Sequence, residues 1–264
     1  MQKLTEKKGY ICDMDGVIYH GNRLIDGAKE FVDWLKNQKK RFLFLTNSSR
    51  SSPKELKQKL AHMGIDVTEE HFMTSALATA SFLASQKPNA SVFVIGESGL
   101  ISALHNKGFY IDQVNPDYVI VGETRTYNFE QIEHAVRLVL KGAKLIGTNS
   151  DITFPGENGI APACKALVAP IELATGRKAY YIGKPNPLMM RHAIKKIRCR
   201  REETLIIGDR MDTDIIAGIE SEIETVLVLT GVTKKEDLAL FPYQPDYILN
   251  RAADILADSS ANTV

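Results

Sequence analysis

Short apolar runs that stop at polar or acidic residues recur along this chain, with helical spacing between them. That alternation restricts the fold more than any other feature. Residues 9–13 (GYICD) read as a strand ending in acid, and 28–39 place Phe31, Val32, Trp34 and Leu35 on one helical stripe. Residues 41–46 (RFLFLT) form a buried strand that stops at Asn47 and a serine run, and Pro53 opens a helix ending near Gly64. The pattern continues with strands at 92–96, 118–122, 144–148, 180–183, 204–208 and 224–230, and with helices after Pro187 and over 213–219. Strand and helix in alternation predict parallel α/β sheets. With 264 residues and this many strands, two βα modules are expected.

Bulk composition narrows the class of function. The formal charge is +1, from 33 basic and 32 acidic residues, so no net field draws in nucleic acid or an anionic membrane. The densest basic stretch, 191–201, lacks interleaved aromatics and reads as a solvated helix face. Cys12, Cys164 and Cys199 are too few and too scattered for a disulfide framework. No run reaches the roughly 18 apolar residues of a membrane helix, and the start MQKLTEKKGY does not read as a signal peptide. A cytoplasmic setting is the expectation.

Chemistry concentrates at strand ends, where open α/β sheets place their sites. Asp13 and Asp15 stand at i, i+2 directly after the strand YIC, with Gly16 permitting a sharp exit. Thr46-Asn47-Ser48 follow RFLFL, Lys184 lies in Gly-Lys-Pro, and Asp209 and Asp214 follow TLII. Each signal alone has a plain structural reading: a strand-end Thr-Asn is turn chemistry, and Asp212 would cap a helix. Their order is what carries weight: acid pair, then hydroxyl and amide, then lysine, then a second acidic loop.

In that order the motifs resemble those of the haloacid dehalogenase superfamily. The chain looks closest to its NagD-type phosphatases, also through NPDYVIVGETRTYNFE, GTNSD and GRKAYYIGKPNP. The resemblance implies a doubly wound, parallel-sheet, Rossmann-like core from residues 1–79 and 181–264, with an inserted α/β cap over 80–180. It implies a Mg²⁺-dependent phosphatase acting on small phosphate monoesters, nucleoside monophosphates such as UMP or sugar phosphates, through an aspartyl-phosphate on Asp13. Asp15 would be the general acid and base. Thr46, Asn47 and Lys184 would bind the phosphoryl group. Asp13, Asp15 (by its carbonyl), Asp209 and Asp214 would hold the metal. Carboxylates suit Mg²⁺, and a cation offsets the repulsion between a carboxylate and a phosphate dianion.

For Asp15 to act as an acid it must hold a proton, so a proton-retaining environment is expected around it. Its presence favours phosphoryl chemistry over dehalogenation, in which a halide leaves without a proton. Glu123, Asn149, Asp151 and Phe154 are the candidates for substrate choice in the cap, each also readable as a turn, helix-cap or core residue. The partner expected is a small phosphate ester, with neither nucleic-acid polymer nor membrane. The oligomeric state stays open, a homo-oligomer through the cap being one option. A phosphomutase using the same nucleophile, a phosphorylation-dependent receiver module and a non-catalytic phospho-ligand binding protein are the alternatives. A P-loop kinase and a zinc enzyme are disfavoured, because G-x-x-x-x-G-K-[ST] and H-x-x-x-H spacings are absent.

Overall fold

The computed structural model describes residues 3–156 and 159–257; residues at the two ends of the expected core, 1–2 and 258–264, lie outside it. The described residues divide into two compact units. One comprises Met1–Thr46, Leu56–Met73 and Lys184–Val264, and the other Asn47–Glu55 and Thr74–Gly183. The second unit therefore starts at 74 rather than 80, closes at 183 rather than 180, and takes in nine residues that follow Thr46.

In the first unit a six-stranded sheet runs in the order Tyr247–Leu249, Glu224–Val228, Thr204–Gly208, Gly9–Cys12, Arg41–Thr46, Phe72–Thr74. The first five of these strands pair in parallel. Gly9–Cys12 is buried throughout, as a central strand with both faces covered should be. Helix Ala28–Asn37 turns Phe31, Val32 and Leu35 into the core, as its spacing predicts. Tyr10 meets Trp34 edge-to-face at 5.6 Å.

The second unit holds a parallel sheet in the order Tyr180–Tyr181, Lys144–Gly147, Tyr118–Val121, Ser91–Ile95, Tyr110–Ile111. Helices Phe129–Leu140 and Cys164–Thr175 pack Ala135, Leu138, Val168 and Ile171 with that sheet's Val119, Val121 and Leu145. An antiparallel hairpin, Thr153–Gly156 with Gly159–Pro162, is an element the periodicity did not announce.

The helix expected over 213–219 is broken into two pieces. Met211–Ile215 forms a π-helical turn, and the α-helix covers only Ile216–Glu220. Asp212 does not cap it: its carboxylate takes a two-pronged contact from Arg210, at 3.0 and 2.7 Å. Among the described residues no helix is long and apolar enough to cross a membrane, and the three cysteines are free thiols.

Candidate active site

Register brings three of the four motifs, all but the lysine, to one end of the sheet. Cys12 lies opposite both Ile207 and Phe44, so the three central strands run out together. Asp13, Thr46 and Asp209 are the residues at that exit. The Asp13 N–H still donates to the Ile207 carbonyl at 2.8 Å, which holds the nucleophile candidate on the strand axis.

Lys184 enters from the loop before helix Pro187–Ile197 and is almost wholly buried. Its ammonium donates to Asp13 Oδ1, to Asp214 Oδ1 at 2.6 Å and to the Leu45 carbonyl at 3.2 Å. Burial pushes the ammonium towards deprotonation, but the Asp13 and Asp214 carboxylates outweigh it and keep Lys184 charged above the usual lysine range. Asp13, Asp209 and Asp214 each offer an oxygen within 4.8 Å of the others. Three carboxylates against one ammonium leave an uncompensated negative charge in a buried place. Accordingly, burial raises the Asp13 pKa well above the ordinary range, partly opposed by Lys184. Burial, with the Asp214 charge behind it, pushes Asp209 up to about 7. A cluster of hard oxygen donors with surplus negative charge suits a divalent cation.

Two local features that the sequence candidates do not include, a supporting loop and a π turn, build this cluster. The loop after Glu224–Val228 holds Asp209: Val232 N–H donates to its Oδ2 at 2.7 Å, and Thr233 N–H to its carbonyl at 3.1 Å. Gly231 allows the approach, since a Cβ there would lie 1.9 Å from Asp209 Oδ2. The usable signal was the same as elsewhere, an apolar strand stopping at Thr-Gly-Val-Thr. The π turn is the second. It aims Asp214 inward, where the Arg210 N–H donates to its Oδ2 at 3.3 Å. One-turn π insertions of this kind recur at functional sites.

Asp15 lies elsewhere on the same exit loop. Gly16, at φ +85°, turns the chain, and the Asp15 side chain is 58% exposed with His20 Nδ1 at 3.8 Å. Asp15 is thus an exposed carboxylate at this exit, and the nearby imidazole is the feature that sequence reading missed.

Thr46 is buried in the first unit; Asn47 is grouped with the second. There Asn47 Nδ2 donates to Asp151 Oδ2 at 3.0 Å, and its carbonyl accepts from Ser75 Oγ and Asn149 Nδ2. Glu123 Oε2 accepts from Ser48 Oγ at 2.8 Å, with Arg50 Nε 3.7 Å away. Burial raises the Glu123 carboxyl pKa, while Ser48 and Arg50 oppose it. Phe154 lies under the Arg50 guanidinium at 5.1 Å. All four cap candidates thus gather with residues 47–50 inside one unit. Ser49 and Ser75 belong to the same network and carry no motif signal. Gly99 explains part of that grouping: a Cβ on it would strike the Arg50–Ser51 backbone at 2.6–2.8 Å, and its N–H donates to the Arg50 carbonyl.

Comparison with known proteins gives a consistent picture. A family profile described as haloacid dehalogenase-like hydrolase matches residues 10–110, and a second HAD-hydrolase-like profile matches 181–255. The dihydroxyacetone phosphatase of Corynebacterium glutamicum (strain R) is 44% identical over 96% of this chain and 92% of its own. The ribonucleotide monophosphatase NagD of Escherichia coli (strain K12) is 42% identical over 94% of this chain and 98% of its own. Among solved structures, a glycerol phosphate phosphatase from Mycobacterium tuberculosis, in complex with magnesium, superposes with a TM-score of 0.89 at 29% identity, over 97% of this chain and 78% of that one.

Proposed function

The chain belongs to the haloacid dehalogenase-like hydrolases of the NagD type, and on that premise we propose that it is a Mg²⁺-dependent phosphatase of small phosphate monoesters with Asp13 as nucleophile. The observation that carries the reading is the buried cluster in which Lys184 bridges Asp13 and Asp214, with Asp209 within reach of both. Phosphate-ester relatives of several kinds fit one shared phosphoryl chemistry, with the leaving group differing from protein to protein.

Asp13, Asp209, Asp214 and the Asp15 carbonyl would hold Mg²⁺, which when bound supplies positive charge against the phosphoryl oxygens. The chain's own residues account for the remaining steps. An Asp13 carboxylate oxygen bonds to phosphorus as the bond to the leaving alcohol breaks. This splits one hard displacement into two easier ones. Lys184 fixes the Asp13 rotamer and offsets charge that would otherwise repel the dianion. That repulsion is about 4 kcal/mol for a unit charge pair near 4 Å at an effective dielectric near 20. Thr46 Oγ–H and the Asn47 N–H donate to the phosphoryl oxygens. Asp15 gives its proton to the leaving oxygen, then takes one from the water that cleaves the aspartyl-phosphate and frees inorganic phosphate. His20, 3.8 Å from the exposed Asp15 carboxyl, is one group able to orient it. Phe154 and Asp151, which retain some exposure, are the proposed contacts to the leaving group.

Phosphate release from UMP, GMP, sugar phosphates, dihydroxyacetone phosphate and pyridoxal phosphate, with Mg²⁺ and with EDTA, tests the reading. We expect Mg²⁺-dependent release that falls about 10⁴-fold or more in Asp13→Asn. Turnover that survives either EDTA or Asp13→Asn would exclude it.

A further inference from the structure

Residues 47–50 are clamped by side chains distant in sequence that lie in the same compact unit. The Asn47 carbonyl accepts from Ser75 Oγ at 2.5 Å and from Asn149 Nδ2 at 2.8 Å. The same Asn149 amide reaches Glu123 Oε1 at 3.3 Å, and its Oδ1 accepts from the Asp151 N–H at 3.0 Å. Glu123 in turn takes the Ser48 hydroxyl through Oε2 and gives its own N–H to Ser49 Oγ at 3.1 Å. Thr148 Oγ1 donates to Ser49 Oγ at 3.2 Å. Asn149 is completely buried, and both hydrogens of its amide are engaged inside the protein. It has no donor left for a substrate hydroxyl or base.

We propose that Asn149, backed by Ser75 and Glu123, is a positioning residue for the phosphate-binding backbone at Asn47, and does not select the leaving group. The proposal rests on the phosphatase reading above, with Asp13 as nucleophile and the Asn47 N–H as a donor to the phosphoryl group. Two hydrogen bonds on one carbonyl fix the plane of the Asn47–Ser48 peptide. That restricts the Asn47 dihedrals, and with them the direction of its N–H. A donor aimed before the reaction is worth more than one that must be ordered during it. The effect therefore falls on the phosphoryl group, which every substrate shares.

Asn149→Asp keeps the side-chain size, removes both donated bonds and sets a carboxylate against the Asn47 carbonyl and Glu123. The measurement is kcat and KM for at least four phosphate esters, together with the inhibition constant of inorganic phosphate, which has no leaving group. The expected result is a fall in kcat/KM of about tenfold or more, by one common factor for all esters, with phosphate inhibition weakened in parallel. Ser75→Ala removes one of the two bonds to the Asn47 carbonyl and should show the same pattern with a smaller factor. It carries the test should circular dichroism show Asn149→Asp unfolded. A changed ranking of esters with unchanged phosphate inhibition overturns the proposal, as do wild-type kinetics in a folded variant. Asp13→Asn separates the two levels. Full turnover in Asp13→Asn defeats the underlying reading. Dead Asp13→Asn beside a wild-type Asn149→Asp defeats this proposal alone.

Discussion

Lys184 is bonded at once to Asp13, Asp214 and the Leu45 carbonyl, and has almost no exposure to solvent. Removing it leaves the fully buried Asp214 and the largely buried Asp13 without their ammonium partner. Lys184→Met should therefore cost about 3 kcal/mol of stability in urea at neutral pH, at the lower end for a broken buried pair, as well as activity. A midpoint equal to that of the wild type would mean the pair is not desolvated as described. Gly231 makes a second residue-scale case. Its replacement by alanine puts a methyl group where Asp209 Oδ2 now sits, so the carboxylate must move. Gly231→Ala should raise the Mg²⁺ concentration for half-maximal activity by about tenfold, roughly the 1.4 kcal/mol scale of one perturbed interaction. An unchanged Mg²⁺ titration would detach Asp209 from the metal. The acidic residues were legible in the sequence because apolar strands stop at them. Gly231 and His20 were not, since nothing local marks a glycine as the neighbour of an aspartate more than twenty residues away.

At the level of elements, the parallel strands were readable because fully buried strands are continuous apolar runs. Those at 41–46 and 204–208 lie where the pattern put them. The π turn at Met211–Ile215 was not readable, because its residues also suit an ordinary helix start. The choice between the two was made by tertiary demand: Asp214 must reach Lys184 while Gly208, whose Cβ would lie 2.1 Å from that of Asp214, lets it pass. The short 3-10 turn Glu69–His71 gives a pH prediction. The His71 ring stacks on Phe42 at 4.3 Å, and its Nδ1 accepts from the Thr68 N–H at 3.2 Å. Burial holds its pKa below the ordinary 6.5. Below pH 6.5 the unfolded chain then binds a proton that the folded chain refuses. The stability contributed by neutral His71 is complete above that pH and is lost as pH falls towards its folded pKa. Between pH 7 and pH 5 the melting temperature should drop more steeply in the wild type than in His71→Asn, which keeps an acceptor but does not titrate. Parallel slopes would remove His71 as the cause.

Over the whole molecule, the two compact units have separate apolar cores, and the acidic cluster belongs to the first. The only tryptophan, Trp34, packs on Tyr10 and Phe31 in that same unit, so its fluorescence reports the unit expected to bind the cation. Mg²⁺ at a hundredfold its dissociation constant should stabilise the Trp34-monitored transition by about 2.7 kcal/mol, and Asp209→Asn should abolish the gain. A Mg²⁺-independent transition would argue against the acidic cluster as the metal site. The sequence by itself determined the α/β class, the long buried strands and the identity of the clustered acids and lysine, because burial period and strand-end chemistry are local properties. It did not mark the shorter strands Phe72–Thr74, Tyr110–Ile111 and Tyr247–Leu249 or the hairpin. Only the tertiary structure decided that residues 47–55 group with the inserted unit and that Asn149 and Glu123 spend their hydrogen bonds on that segment. It also decided that Asp209 is held by the loop at Val232. Each of these depends on polar atoms far apart in the chain finding partners once water is excluded, and no spacing rule encodes which partners they find.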